Sequence, residues 1–382
     1  MKKSLLAMAV AAAVPAVATA QVTISGLLDI GLTNIDNGAK SKLFTTSGDR
    51  ASNNITFRGV EDIGGGLRGI FHVELGFDVD TGHINSTSTP SNAGAATIGF
   101  ARRSILGLAG SFGEIRAGRD YTPIFSASNA NSIHGTSGYA SSLTSMNAIA
   151  GGTGVAGIDI RYSNALLYSS PVFQGFQVNV AYTTGAGSDD INPSATPSGG
   201  NTKNGEGSSL ALVYSAGPAY AQVSWQSVKD QTGTGTASVD STGPGKRESV
   251  AYGGKYKFGD FELALGAANT EASTVAGLVT KNETVFYGAS YTMGPTRFSV
   301  QGATVKVSGT STAANVADND YTTLTLLVNH ALSKRTAIYG NYGKVSNDAR
   351  QNVGIRSNGF AVNAAGLGVD PSAFGVGVVH SF

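Results

Sequence analysis

The feature that most constrains this chain is an alternation of apolar and polar residues at period two. It recurs along nearly the whole length and is interrupted by linkers of strictly alternating size. In Val22-Thr-Ile24-Ser-Gly26-Leu-Leu28-Asp-Ile30 the even positions are apolar or glycine, while Thr23, Ser25 and Asp29 occupy the odd ones. Phe176-Gln-Val178-Asn-Val180-Ala-Tyr182 and Phe261-Glu-Leu263-Ala-Leu265 repeat the pattern. Successive side chains of a strand point to opposite faces, so each run predicts one apolar and one wet face. A long amphipathic helix would show a 3.6-residue period instead.

Sixteen such runs can be counted, at about 22–33, 53–61, 67–78, 97–109, 113–119, 158–169, 175–184, 207–216, 218–228, 247–257, 260–270, 282–292, 295–307, 320–330, 335–346 and 372–382. Seven linkers are short and carry turn chemistry, such as Asp62-Ile-Gly-Gly-Gly66, Ala216-Gly-Pro218 and Met293-Gly-Pro295. Eight are long: 34–52, 79–96, 120–157, 185–206, 229–246, 271–281, 308–319 and 347–371. An even number of strands with short turns at one end and long loops at the other is the pattern of an outer-membrane barrel with both termini in the periplasm. The fold expected is therefore all-β, a 16-stranded antiparallel transmembrane β-barrel. A soluble sandwich or propeller also alternates, but has no reason for short-long linker order.

The two ends of the chain fit this scheme. Residues 1–20 read as a cleaved secretory signal: Lys2 and Lys3, an apolar stretch from Leu5 to Val14, and Ala18-Thr19-Ala20 as the cleavage site. The mature barrel is expected at 21–382. The chain ends on Phe374-Gly-Val-Gly-Val-Val-His-Ser-Phe382, with Phe374, Val376, Val378, His380 and Phe382 on one face. A free apolar strand end invites aggregation unless it is paired. Pairing with the run from Val22 closes the barrel and sets Phe382 at the lipid interface.

Composition narrows the function classes. There is no cysteine, so stability in an oxidising compartment must come from the closed ring of inter-strand hydrogen bonds. Mean hydropathy is +0.00 and no apolar run is long enough for a membrane-spanning helix. The formal charge is +1, or −1 without Lys2 and Lys3, which gives no basic surface for nucleic acid. His72, His83, His134, His330 and His380 lack metal-ligand spacing. No Gly-x-Ser-x-Gly elbow is present, and Gly64-Gly-Gly66 lacks the Gly-Lys-Ser/Thr of a phosphate loop. Neither a cofactor nor catalysis is therefore expected.

Several segments resemble the general porins of Gram-negative bacteria, particularly the β-proteobacterial branch. They are Phe57-Arg-Gly-Val-Glu-Asp-Ile-Gly-Gly-Gly-Leu67, Arg102-Arg-Ser-Ile-Leu-Gly-Leu108, Phe112-Gly-Glu-Ile-Arg-Ala-Gly-Arg119, Arg161-Tyr-Ser-Asn-Ala-Leu-Leu-Tyr168-Ser-Ser-Pro171, Leu332-Ser-Lys-Arg-Thr336 and the terminal His380-Ser-Phe382. The resemblance implies a passive diffusion channel for small hydrophilic solutes and ions. It also implies a homotrimer in outer-membrane lipid and lipopolysaccharide, and a third loop folded into the lumen. Phe382 would be the signal read by the barrel-assembly machinery. A substrate-specific channel, or a barrel enzyme or adhesin, shares the fold and stays open.

Strand parity nominates the pore-lining charges. Apolar Ile55 and Phe57 turn Arg58 inward; Leu106 and Leu108 do the same for Arg103; Ile115 and Ala117 for Arg116; Tyr162 and Tyr168 for Arg161. An arginine on the lipid face near the midplane costs ~2–4 kcal/mol, which supports the inward orientation. Glu74 and Asp29 are the inward carboxylates by the same parity, and Leu167 is an inward apolar residue. By resemblance the loop 120–157 is the constriction loop, with Asp120, Tyr121, Pro123, Phe125 and His134 as its marked residues. Between Tyr121 and Ile158 it carries no Asp, Glu, Lys or Arg. An arginine wall facing a neutral loop predicts weak to moderate anion selectivity.

Overall fold

The computed structural model describes residues 21–84, 99–141, 158–185, 205–230, 245–273, 279–309, 319–357 and 361–382. The signal segment lies outside them, as does 142–157 of the third loop. The strands are β1 (Gln21–Asp36), β2 (Ser41–Ser47), β3 (Asn54–Gly64), β4 (Leu67–Gly76), β5 (Arg103–Gly110), β6 (Gly113–Tyr121), β7 (Arg161–Ser169), β8 (Phe176–Thr184), β9 (Glu206–Ala216) and β10 (Ala219–Asp230). They continue with β11 (Gly245–Phe258), β12 (Phe261–Ser273), β13 (Val279–Met293), β14 (Thr296–Gly309), β15 (Tyr321–Ala331), β16 (Thr336–Asn347), β17 (Ile355–Arg356), β18 (Ala361–Val362) and β19 (Ser372–Ser381). One helix, α1 (Pro123–Asn131), is described.

Neighbouring strands pair antiparallel in chain order, and β1 pairs with β19 to close the barrel. The closing register runs from Leu27 opposite Ser381 to Asp36 opposite Ser372. Gly26 and Phe382 extend it by exchanging two backbone hydrogen bonds of 3.2 and 3.1 Å. The barrel has sixteen staves because β2 and β3 form one broken stave. The upper half of β1 pairs with β2 and its lower half with β3. The linker read as 34–52 is thus a correction: it holds a tight turn and a strand. The break at 48–53 wraps the Asp29 carboxylate, which accepts the backbone N–H of Arg50 and Ala51 at 2.7 Å each.

Burial follows the alternation. On β12, Leu263 and Leu265 are 50% and 61% exposed, while Ala264 between them is 7% exposed. The apolar row faces outward, where lipid is the solvent, and each stave hydrogen-bonds to both neighbours around the ring. Aromatic side chains gather near the short-turn end, with Phe258 stacked on Phe261 at 5.7 Å and Phe261 against Tyr291 at 4.6 Å. Phe382 joins them on the outer face at 42% exposure, as the terminal strand predicts. Such girdles mark the two interfaces of membrane barrels.

Some inward positions break the polar-in rule, and two of these breaks seat a loop. Ala251, Ala268, Phe286 and Ala303 make an apolar recess on the wall of β11–β14, filled by Ile124 and Phe125 of α1 and by Ile158. Val305, Val307, Tyr321, Val345 and Ala373 make a second recess, filled by Tyr139 and Ala140 and by Val353 and Ile355 of the last loop. A water-filled lumen gives no reason for inward valine or phenylalanine; loop packing does.

Candidate functional site

α1 opens with Thr122 as N-cap, whose hydroxyl accepts the Phe125 N–H at 3.2 Å, and with a proline in its first turn. The chain then runs along inward-facing polar residues. Ser209 Oγ accepts the Ile124 N–H, Tyr220 donates to the Ala127 carbonyl, and Asn131 donates to the Leu265 carbonyl. His134 bonds Ser299 at 2.8 Å, and its N–H reaches Gln301. At the tip Tyr139 donates to Asp49 at 2.8 Å, and its carbonyl accepts Thr325 at 2.7 Å. The helix face left exposed is Ser126, Asn129 and Ala130, which carries no charge.

The arginines gather on the opposite stretch of wall, β3–β7. Arg103 grips buried Asp120 with Nε at 2.6 Å and a second nitrogen at 2.8 Å. Arg116 touches the same carboxylate at 3.5 Å and Glu114 at 3.0 Å. Arg102 pairs with Glu74, which also faces His72 at 3.3 Å. Arg161 donates to the Tyr121 hydroxyl at 2.8 Å and lies 4.4 Å over its ring, a cation–π contact. Tyr121 in turn stacks on Phe125 at 5.2 Å, so the arginine wall and the helix meet through one aromatic pair. Arg58 is exposed and has no ion-pair partner among the described residues.

Arg103, Arg116, Arg161, Glu74, Asp120 and Tyr121 are therefore brought together, with Arg58 on the His72 register. Asp29 is not. It is wholly buried in the stave break, holding backbone N–H groups and the Tyr339 hydroxyl at 2.7 Å. His134 also sits away from the arginines, against β14. Burial, helped by the charge of Arg297, pushes its pKa down to about 3, so it stays neutral and fills space. Pro123 and Phe125 shape and seat α1.

One parity assignment is corrected. Tyr162 is 4% exposed and packs inward with Leu167, Ala165, Ala181 and Val228. The register shifts between Gly118 and Asp120, and Asn164 takes a φ of 49°, so simple alternation fails on β6–β7. Arg161 still reaches the cluster from just beyond this irregularity. Leu167 is inward as expected, and its described neighbours are wall residues, not α1.

Two features escaped parity. Arg119 donates to the Ala101 carbonyl and Ser163 at 2.6 Å each, turned in by the same bulge; Gly118, at φ +126°, is its sequence signal. Buried Arg247 holds Asp159 at 2.6 Å, and Gln226 holds the same carboxylate at 2.6 Å. That clamp fixes the returning end of the third loop to β10–β11, and pairing over such a span has no local signature. Outside the β3–β4 turn end with its Glu61, Asp62 and Arg68, the described wall carries six arginines (58, 102, 103, 116, 119 and 161) and three carboxylates, Glu74, Glu114 and Asp120. No metal-binding group of three or more His, Asp or Glu occurs among the described residues.

Comparison with known proteins agrees with this architecture. The chain is 28% identical over 385 residues to outer membrane porin protein 32 of Delftia acidovorans, covering 100% of both chains. It is 27% identical to an outer membrane porin protein of Bordetella pertussis, over 71% of this chain and 70% of that one. In fold it is similar to the anion-selective porin from Comamonas acidovorans, with a TM-score of 0.76 and 24% identity over 95% of this chain and 100% of that one. It is also similar to the trimer form of OmpT from Vibrio cholerae, with a TM-score of 0.67 and 16% identity over 95% and 99%. The Gram-negative porin family matches residues 6–350; with the closed sixteen-stave barrel and its lipid-facing girdle, this chain belongs to that family and is an outer-membrane porin.

Proposed function

We propose that the protein is a passive pore for small hydrophilic solutes, weakly to moderately anion-selective, whose narrow zone lies between the arginine wall and the uncharged face of α1. The observation that carries this is the imbalance of six arginines over three carboxylates, set opposite Ser126, Asn129 and Ala130. Charge on one wall of a low-dielectric constriction biases ion entry toward the opposite sign. Arg58, Arg119 and Arg161 contribute most per residue, because among the described residues no carboxylate forms an ion pair with them. Arg103 and Arg116 share Asp120 and contribute a smaller excess.

A lumenal course for residues 120–141 of the loop 120–157 belongs to the same proposal; 142–157 lie outside the described residues. Its support is the chain of hydrogen bonds from Ile124 to Tyr139 along inward-facing residues. A homotrimer, contact with lipopolysaccharide, and Phe382 as the mark read by the assembly machinery are proposed with it. The cleaved signal at 1–20 is proposed from its three-part pattern.

Flux into liposomes tests the reading. Uptake of neutral sugars should fall with size and not saturate, and a small organic anion should enter faster than a neutral solute of equal size. Saturation with one sugar would favour a substrate-specific channel. Equal entry of anion and neutral solute would remove the electrostatic part.

A further inference from the structure

A second group of cations lies away from the arginine wall, near the short-turn end of the barrel. Arg297 is the second residue of β14, and Lys255 sits three residues before the end of β11. Both reach one carboxylate, Glu262 of β12, at 2.8 and 3.5 Å. Arg50 arrives from the break in the second stave. Its Nε donates to Asn329 at 2.6 Å, and Asn329 is the cross-strand partner of Arg297.

The charges here do not balance. Arg50 has a neutral amide as its hydrogen-bond partner, and the positive charge of Arg297 acts on it directly. Asp29 lies near and its charge favours the Arg50 cation more than Arg297 opposes it, although its oxygens already accept two backbone N–H groups and the Tyr339 hydroxyl. Among the described residues Glu262 alone makes ion pairs with the group, and it serves two cations. Lys257, exposed and on the same inward parity as Lys255, adds a further positive charge at the rim. Folding has therefore gathered Arg50, Arg297, Lys255 and Lys257 around two carboxylates, Glu262 and the buried Asp29, with hydrogen-bond donors to spare.

We propose that Arg50, Arg297 and Lys255 form a second anion site, in series with the arginine wall, that takes a multivalent oxyanion of the phosphate class. Guanidinium groups present paired N–H donors that match tetrahedral oxyanions, and a bridging anion offsets the excess positive charge. Lys255 supplies a point charge to the same ligand. Short turns of such barrels face the periplasm, so the site guards the periplasmic mouth. It deepens the anion-conducting reading of the lumen and rests on it for its supply of ligand.

The test is block of chloride current by inorganic pyrophosphate through the full-length protein in planar bilayers. Pyrophosphate should block the wild type. The double variant Arg50→Gln with Arg297→Gln should weaken block about tenfold or more, the loss expected when charge-assisted hydrogen bonds are removed. Arg297→Lys should keep most of the block. Lys255→Gln should weaken it less than the double variant, and it provides the reading if the double variant does not fold. Unblocked wild type, or equal block of wild type and both glutamine variants, overturns the site. The chloride-to-potassium preference measured in the same membranes is a separate reading: its absence sinks the anion bias of the arginine wall, whatever pyrophosphate does.

Discussion

Gly343 offers a way to move the third loop without touching a charge. It lies on the inner face of β16, directly under the loop tip. A Cβ built there falls 2.5 Å from the carbonyl oxygen and 2.7 Å from the carbonyl carbon of Tyr139. Those are backbone atoms, so no rotamer change relieves the clash, and the tip must move off the wall by roughly 0.7–0.9 Å to restore ordinary contact. Among the hydrogen bonds that hold it there are Thr325 to the Tyr139 carbonyl at 2.7 Å, Gly138 N–H to the Asp49 carbonyl at 2.9 Å, and the Tyr139 hydroxyl to the Asp49 carboxylate at 2.8 Å. Two neutral bonds at ~0.5–1.5 kcal/mol and one to a charge at ~1.5–3 kcal/mol put about 2.5–6 kcal/mol at stake. Gly343→Ala should therefore unseat the tip toward the lumen, lowering mean single-channel conductance and adding open-channel noise. Gly340→Ala, with nothing within 4 Å of its Cβ position, is the control and should match wild type. A folded Gly343→Ala channel with wild-type conductance and noise would refute the placement of the tip against β16.

Three other outcomes follow from the geometry. Arg247→Gln strips Asp159 of its cation and should lower thermal stability in detergent, by less than the ~3–5 kcal/mol of a fully buried pair because Asp159 is 31% exposed. His134 is held neutral, with its pKa depressed to about 3 from 6.5, so the unfolded chain takes up a proton that the folded chain refuses. Its stability contribution is complete above about 6.5 and is lost as pH falls toward about 3; unfolding of wild type minus His134→Gln should show that slope, and parallel curves would contradict it. At the closure, a Cβ on Gly26 would lie 2.8 Å from Cε1 of Phe382 and 2.7 Å from the Asn54 carbonyl oxygen. Gly26→Val and deletion of Phe382 should both slow the appearance of heat-resistant barrels while leaving conductance normal in those that form, and normal assembly kinetics would contradict the closure role.

The barrel was legible because its cause is local. Lipid on one side and water on the other impose period two on every stave, and a slip of one residue would flip a whole face. The terminal pairing of Phe382 with Gly26 followed from the same logic. Parity also nominated Arg58, Arg103 and Arg116, where the strands are regular. It misplaced Tyr162 and passed over Arg119, because the shift after Gly118 and the left-handed Asn164 break alternation over a few residues. Phe286 lies inward on β13, and what covers it has no local signal: only the fold shows that α1 does. The Arg247–Asp159 clamp and the Arg50–Asn329 hydrogen bond join distant segments, and no spacing in a sequence encodes them.

The central claim is that arginines against an uncharged helix face make the pore prefer anions. Zero-current potential in a KCl gradient across a planar bilayer tests it most directly. Wild type should show a chloride-to-potassium permeability ratio above unity, and Ser126→Asp with Asn129→Asp, which puts charge on the exposed face of α1, should lower it. A wild-type potential of the cation-selective sign, or a ratio unmoved by the two aspartates, would contradict the account.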